Sequence, residues 1–550
     1  KSSTPKVLHP IGGLPLLGHA IRAARATAAE HVEVVVRHQR DLVVEYCSSV
    51  DPALVVADQD EVKGTGRAVE CGLAALPADL VGTVLVTSGD VPLIEGRTLV
   101  DLANAHAASG AAVTVVTAEV ADPTGYGRVV RGADGGVERI VEQKDASEAE
   151  RSIREINSGI WGFDAAVLRD ALDQVGTDNA QGEKYLTDVL ALARAAGHRV
   201  GAHRIDDIWQ TEGVNDRVQL AKLGRVLNDR VCEKWMRAGV TIVDPATTWI
   251  DTDVTIGQDA RILPGTQLLG ATTIGSGAVI GPEVTLIDTE VGEEAEVERA
   301  KANLAVIGAG ATVGPYSYLR PGTVLGAKGR IGGFVETKNA QIGEGAKVPH
   351  LTYAGDVEIG PGANIGAGTI FANYDGVAKH RSRIGKDSFV GSHTVVISPV
   401  DVADGAYVAA GSALTQDVNP GEIAVARAKQ RNVPGWVARA RPGTRTAAAA
   451  EAAAAGGNGI PHPTDGARDP VRDPLAILLG PFAAFVLAVF ATILTTVLAV
   501  GAGLGLCRGG FDRDNDRLLR GQGRHRGLLP MRLDRAFAPV FAFAGLRRRA

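Results

Sequence analysis

Two stretches of the chain place side chains where chemistry can happen. In Ser88-Gly89-Asp90-Val91-Pro92-Leu93 a carboxylate follows the apolar run Val84–Val86. Read as a strand, that run puts Asp90 at a carboxyl end, the edge where open α/β sheets bind ligands. One carboxylate there suits Mg2+, which keeps several waters and takes further oxygens from substrate phosphates. Taken alone, such an aspartate is as often a turn residue. In Pro349-His350-Leu351-Thr352-Tyr353 the histidine is the residue type most often used to take up a proton, and is a candidate general base. Tyr353, three residues on, could orient a nucleophile or steady a developing oxyanion. A lone histidine near a chain corner is usually a surface or packing residue, so the motif around it carries the reading.

These residues need scaffolds, and the chain supplies two of different character. With 550 residues it is too long for one hydrophobic core. Over residues 1–215, β-branched runs such as Val32–Val36, Val84–Val86 and Ala112–Thr117 alternate with the helical stretches Gly64–Leu76 and Ile94–Ser109. That alternation predicts an α/β domain with a largely parallel sheet. Leu220, Leu223, Leu227, Val231 and Trp235 recur at helical spacing, which predicts a connecting helix over Asp216–Ala238 within a 216–249 linker.

From residue 250 the period changes to six. Ile256, Ile262, Leu268, Ile274, Ile280 and Leu286 set it; Ile307, Val313, Leu319, then Ile342, Val348, Ile359 and Ile365 resume it; Ile384, Val390, Val396, Val402, Val408 and Leu414 close it. Glycine or a small residue often follows the aliphatic one. Three short sides per coil, aliphatics inward and small residues at the corners, describe a parallel β-helix, here assigned to 250–440.

A formal net charge of −6 gives no case for a nucleic-acid partner. Cys47, Cys71, Cys232 and Cys507 are scattered, which fits a reducing cytoplasm and not a disulfide framework. Residues 441–474 read as an Ala/Pro/Gly-rich linker. Residues 475–506 form an uncharged stretch long enough to span a bilayer, and 507–550 form an Arg-rich tail.

The first domain carries, in order, Thr4-Pro5-Lys6-Val7-Leu8-His9, Gly64-Thr65-Gly66, the Ser88–Leu93 stretch, Gly125-Tyr126-Gly127-Arg128, Val141-Glu142-Gln143-Lys144-Asp145, Glu155-Ile156-Asn157-Ser158-Gly159 and Glu212-Gly213-Val214-Asn215. The second carries Leu319-Arg320-Pro321-Gly322, Phe334-Val335-Glu336-Thr337-Lys338, the Pro349–Tyr353 stretch, Asn364-Ile365-Gly366-Ala367-Gly368 and Asn373-Tyr374-Asp375-Gly376. Over residues 1–440 this set resembles the bifunctional N-acetylglucosamine-1-phosphate uridylyltransferase / glucosamine-1-phosphate N-acetyltransferases.

The resemblance implies a Rossmann-like α/β nucleotidyltransferase domain followed by a left-handed parallel β-helix of hexapeptide repeats. It also implies a cytoplasmic bacterial homotrimer. Glucosamine-1-phosphate is acetylated from acetyl-CoA, then N-acetylglucosamine-1-phosphate takes a uridylyl group from UTP. Asp90 and Asn215 would hold Mg2+, and Lys6 would neutralise phosphate charge. Gln59, Gly64, Thr65, Ser88 and Gly89 match nucleotide positions; Gly127, Glu142 and Asn157 match those that hold the amino sugar. Lys63 departs from the usual apolar residue beside the glycine turn. In the second domain His350 matches the base; Arg320, Lys338, Tyr353 and Asn364 match the sugar-phosphate site; Ala367, Asn373, Tyr374, Ser392, Ala410 and Arg427 match acetyl-CoA positions.

Two other functions compete. A zinc β-helix enzyme would draw on His350, His380 and His393, whose spacings do not follow one repeat step. A single-function nucleotidyltransferase would keep the β-helix as a trimerisation scaffold, but a scaffold does not require Arg320, Lys338, His350 and Tyr353. The family opens with a strand and a glycine-rich phosphate loop ahead of the stretch that begins here at Lys1, and the first methionine is Met236. The expectation is that a natural start precedes Lys1, and that a chain complete as written is severely impaired in uridylyl transfer. For the C-terminal extension a fused reading frame, a membrane anchor and a disordered tail stay open.

Overall fold

The computed structural model describes residues 2–133, 135–179 and 181–457 and the backbone of 541–546. The α/β portion is built on a sheet whose strands run in the order Val200–Arg204, Val113–Glu119, Glu155–Asp164, Thr83–Ser88, Phe541–Leu546, Val32–Val36, Val55–Asp58. Val32–Val36 is buried at every position, as a strand covered on both faces must be. Its valines divide by face. Val34 and Val36 pack on Leu17, Ile21, Val43 and Cys47. Val35 packs with Ala68, Val69 and Leu73 of the helix Thr65–Ala75.

The sheet is mixed, which corrects the expectation of a largely parallel one. Val32–Val36 pairs Val55–Asp58, and Val113–Glu119 pairs Val200–Arg204, in parallel. Glu155–Asp164, however, runs antiparallel to both Thr83–Ser88 and Val113–Glu119. Between Glu119 and Glu155 the chain makes a hairpin, Arg128–Arg131 with Val137–Val141, and a four-residue helix. With a hairpin in place of a crossover helix, the connection delivers the returning strand antiparallel to its neighbours. The backbone of Phe541–Leu546 also pairs antiparallel, between Val32–Val36 and Thr83–Ser88. That segment falls inside the stretch read as an Arg-rich tail. Phe-Ala-Phe-Ala-Gly-Leu itself carries no charge, and two buried strand edges offer it a full set of hydrogen bonds.

The helix Arg217–Arg237 leaves this sheet, capped where the Asp216 carboxylate accepts from the N–H of Gln219. Parallel coils follow, with strands from Thr241–Ile242 to Ile423–Ala424, starting earlier than residue 250. The inward aliphatics Ile262, Leu268, Ile280 and Leu286 have no exposed surface. Buried threonines close the corners: Thr266, Thr272, Thr369 and Thr394 each donate a hydroxyl hydrogen bond to the carbonyl three residues back. Gly366 must lack a side chain, since a Cβ there would overlap the backbone of Ser392 in the next coil.

Coil length explains where the six-residue period lapses. Ile256 pairs with Ile274 after 18 residues, but Val291 pairs with Ile307 after 16 and Ile342 with Ile359 after 17. The next coil takes 25, from Ile359 to Ile384. Its extra residues form an excursion closed by a bridge between Tyr374 and Lys379. The first coil meets the α/β portion where Thr252 donates its N–H to the Gly12 carbonyl and Arg22 pairs with Asp253 at 2.8 Å.

Residues 428–457 are described apart from the rest, as part of a second unit. The 441–474 stretch, expected as linker, contains the helix Arg445–Ala455. Eight of those eleven residues are alanine, the best helix former, and the Thr444 side chain accepts from the N–H of Ala447. The apolar stretch 475–506 lies outside the described residues. Among the described residues no helix is long and apolar enough to cross a membrane.

Candidate active sites

The first site gathers around Asp90, just past the end of the strand Thr83–Ser88. The buried Asp90 side chain accepts from Lys6 at 2.5 Å, and the Lys6 ammonium also donates to Asn215 Oδ1 at 3.3 Å. The Asp90 carbonyl accepts from the N–H of Val214, which fixes the Gly213–Asn215 turn against the strand end. An aspartate oxygen and an amide oxygen thus converge on one cationic point. This is a hard-oxygen donor pair of the kind Mg2+ takes when phosphates complete its shell.

A second cluster lies at the start of the helix Thr65–Ala75. Gly64 sits at φ +116°, and a Cβ there would overlap the Lys184 backbone, so only glycine fits. The Thr65 hydroxyl accepts from the N–H of Leu186, locking the same loop. Gln59 is buried and donates its Nε2 to the carbonyls of Val62 and Gly64. Its Oε1 has no partner among the described residues. Ser88 and Gly89 form the turn leading to Asp90, with the N–H of Val91 on the Ser88 carbonyl.

Gly127, Glu142 and Asn157 come together. The Asn157 N–H donates to the Gly127 carbonyl, and a Cβ on Gly127 would stand 3.3 Å from Glu142 Oε1 and 3.6 Å from the Asn157 side chain. Beneath them Arg128, almost wholly buried, donates to Gln143 Oε1 and to the Tyr126 carbonyl.

The other site lies on the coils next to the 25-residue excursion. Strand Glu336–Ile342 pairs Glu336 with Tyr353 and Lys338 with Gly355. The Arg320 guanidinium donates to Glu336 at 2.9 Å. Chiefly through the neighbouring Lys379, and with Arg320 nearby, Lys338 is held below the ordinary lysine value. Lysines brought this close to each other, with an arginine beside them, make a site for a polyanionic group. Lys379 is absent from the sequence-derived residues. Its only signal was its place in the polar stretch after Asn373. His350 is exposed at the end of the strand Lys347–His350, opposite Gly333, with its carbonyl held by the Thr352 hydroxyl and the N–H of Gly368.

Asn373 is buried and donates to Asp356 at 2.5 Å. Tyr374 is exposed and donates its hydroxyl to the Gly376 carbonyl. Asp375 anchors the excursion: the N–H of Ala378, the His380 ring and the N–H of Val377 hold its carboxyl far below the usual range. Asn364 lies on the coil between Lys347 and Phe389. Ala367, Ser392 and Ala410 occupy one corner of successive coils. The N–H of His393 donates to the Ala367 carbonyl, that of Gly411 to Ser392, and the Arg427 guanidinium to Ala410. Among the described residues no three histidines, cysteines or carboxylates gather as a metal site.

Residues 1–155 match the MobA-like NTP transferase domain family, and residues 253–288 match the bacterial transferase hexapeptide family (six repeats). The chain is 57% identical over 466 residues to the bifunctional protein GlmU of Kineococcus radiotolerans, covering 84% of this chain and 94% of that one. It is 58% identical over 455 residues to that of Paenarthrobacter aurescens, covering 82% and 92%. To that of Micrococcus luteus it is 56% identical over 472 residues, covering 84% and 95%. With an α/β nucleotidyltransferase portion joined to a left-handed parallel β-helix of hexapeptide repeats, and identity of this extent across both, the chain belongs to the bifunctional GlmU family.

Proposed function

We infer that the chain makes UDP-N-acetylglucosamine by two consecutive transfers, one on each portion. The β-helix moves an acetyl group from acetyl-CoA to the amine of glucosamine-1-phosphate. The α/β portion then moves a uridylyl group from UTP to N-acetylglucosamine-1-phosphate and releases pyrophosphate. The product is a precursor of peptidoglycan and other envelope polymers. The observation that carries this reading is the presence on one chain of two separate charged constellations suited to phosphate chemistry, the oxygen donors Asp90 and Asn215 with Lys6, and the cations Arg320, Lys338 and Lys379. A β-helix kept only as a scaffold has no use for the second.

In acetyl transfer His350 takes a proton from the amine as its nitrogen attacks the thioester carbonyl. The carbon–sulfur bond breaks and coenzyme A leaves as the thiol. Arg320, Lys338 and Lys379 hold the sugar phosphate, with Tyr353 and Asn364 on the sugar. Ala367, Asn373, Tyr374, Ser392, Ala410 and Arg427 line the path of acetyl-CoA.

In uridylyl transfer a phosphate oxygen of the sugar attacks the α-phosphorus of UTP, and the bond to the β-phosphate breaks. Such reactions depend on positioning and charge neutralisation more than on a protein nucleophile. Asp90 and Asn215 would hold Mg2+, which when bound neutralises phosphate charge. Lys6 adds a second positive charge. The buried Gln59 Oε1, without a protein partner, suits the uracil N–H, with Gly64 and Thr65 alongside. Ser88 and Gly89 line the approach to Asp90, while Gly127, Glu142 and Asn157 take the amino sugar.

The assembly is a homotrimer of the cytoplasm, where UTP and acetyl-CoA are available. Tyr316, Phe334 and Leu351, respectively 58%, 62% and 61% exposed, stand in a column at one corner of successive coils, the two rings stacked at 5.2 Å. An apolar column of this kind favours a second copy as its cover. The deciding experiment gives the purified chain glucosamine-1-phosphate, acetyl-CoA, UTP and Mg2+ and reads products by mass. N-acetylglucosamine-1-phosphate is expected from the β-helix, and its conversion to UDP-N-acetylglucosamine reports the α/β portion. A reaction that stops at N-acetylglucosamine-1-phosphate would remove the uridylyl half, and no acetylated product would remove the other.

A further inference from the structure

Gly355 and Asp356 lie in the strand Tyr353–Ile359, next to Tyr353 and outside every role assigned so far. The Asp356 carboxylate uses both oxygens. Oδ1 accepts from Asn339 Nδ2 at 2.8 Å, and Oδ2 accepts from Asn373 Nδ2 at 2.5 Å. Asn339 belongs to the coil before and Asn373 to the coil after. Asp356 is therefore a clamp across three coils. Burial alone would raise its pKa, but the two amide hydrogen bonds and the charges of Lys338 and Lys379 hold it below the usual carboxylate range. It stays an anion, and an anion accepts hydrogen bonds only.

That constraint fixes chemistry one residue away. An asparagine amide can face a ligand with either its oxygen or its nitrogen. Because Asn373 must turn Nδ2 to a carboxylate, Oδ1 is the atom it can offer to a donor. Gly355 makes the matching space. A Cβ at that position would overlap the Tyr353 hydroxyl and stand 2.8 Å from Asn373 Nδ2. Tyr353 can fold its ring back toward Asn373 only because Gly355 has no side chain.

We propose that Asp356 is a positioning residue for acetyl transfer, acting through Asn373, whose amide oxygen it presents at the end of the acetyl-CoA path where the sugar amine meets the thioester, with Gly355 providing the room that brings the Tyr353 hydroxyl to the same point. The proposal rests on the assignment of Asn373 and Tyr353 to the acetyl-transfer site.

Asp356→Asn keeps the size of the side chain and removes the direction, since two facing amides can pair either way round. Its kcat for acetyl transfer is expected to fall about 10- to 100-fold, the scale of a misplaced reacting group. KM for glucosamine-1-phosphate should change less than about threefold, because Arg320, Lys338 and Lys379 remain. Uridylyl transfer, measured on the same preparation, should not change and reports that the chain is folded.

A double-mutant cycle separates positioning from general support of the coil. In an Asn373→Ala background the further change Asp356→Asn should cost nothing more. An equal loss in both backgrounds, or kcat of Asp356→Asn within twofold of the parent, overturns the proposal. Gly355→Ala offers an independent reading, with an expected fall in kcat and a retained KM for the sugar phosphate; unchanged kcat would remove the Gly355 part. Full activity of Asn373→Ala would instead refute the site assignment itself, an outcome distinct from failure of the positioning role.

Discussion

Lys6 and Asp90 meet at 2.5 Å across a gap of more than eighty residues, and Asn215 joins them from the far end of the α/β portion. Three separate segments thus supply one cationic and two oxygen groups to a point just beyond the end of the strand Thr83–Ser88. Asp90→Ala and Lys6→Ala are each expected to reduce kcat/KM for uridylyl transfer by at least about 100-fold, the scale on which charge stabilisation at a reacting centre acts. Acetyl transfer on the same protein should be unchanged. Pyrophosphate release across a Mg2+ titration checks both, and Asp90→Ala should shift that titration to higher Mg2+.

His350→Ala should give the reverse pattern. Loss of a general base typically costs about 100- to 10,000-fold, so acetyl transfer should fall into that range while pyrophosphate release is retained. The check is the rate of free thiol appearance from acetyl-CoA.

Removal of Lys379 tests the cation cluster. Lys379→Ala should raise KM for glucosamine-1-phosphate by about tenfold, the loss of one charge-assisted contact to a phosphate. KM for acetyl-CoA should stay within about twofold. The lysine that remains, Lys338, should move back up toward its ordinary pKa once its neighbour is gone. Steady-state kinetics with each substrate varied in turn distinguishes the two effects.

Glu33 makes stability depend on pH. It is fully buried in the strand Val32–Val36, neither carboxylate oxygen has a partner among the described residues, and burial pushes its pKa up to about 8. The unfolded chain releases this proton near the ordinary glutamate value of 4.5, whereas the folded one retains it to about 8. Between those values the folded state binds more protons, so stability falls as pH rises through that window and levels off above it. Glu33→Gln should abolish this slope, gaining on the order of 4 kcal/mol relative to the parent at pH 8 and little at pH 4. Chemical denaturation of the α/β portion at a series of pH values measures it.

The sequence made the scaffold readable where one physical rule acts locally. Ile262, Leu268 and Ile280 recur because each coil must fill the same interior, and that demand repeats along the chain. It also made the reactive residue types readable: Asp90, His350 and Lys338 stood out in their motifs. Their partners did not. Glu336 on Arg320, Asp356 on Asn373 and Lys379 beside Lys338 join residues of different coils or of the excursion, where no period points from one to the other. The antiparallel course of Glu155–Asp164 was hidden for a related reason, because strand direction depends on what the connection does and not on the strand's own composition. The helix Arg445–Ala455 was read as linker because low complexity was weighed above the propensity of alanine.

The corner that carries Ala367, Ser392 and Ala410 has the properties of a ruler. Neighbouring strands in any sheet stand about 4.8 Å apart, so these three positions mark a scale of nearly 10 Å along the axis. The scale ignores how much chain each division contains. Twenty-five residues separate Ala367 from Ser392 and eighteen separate Ser392 from Ala410, yet each interval advances by one strand spacing. Residues can therefore be inserted at a coil, as around Lys379, and new chemical groups brought in beside the ruler without moving its marks. A co-substrate extended along that corner, as proposed for acetyl-CoA, would be measured by the number of coils it crosses, and the length it must have would be set by the backbone alone.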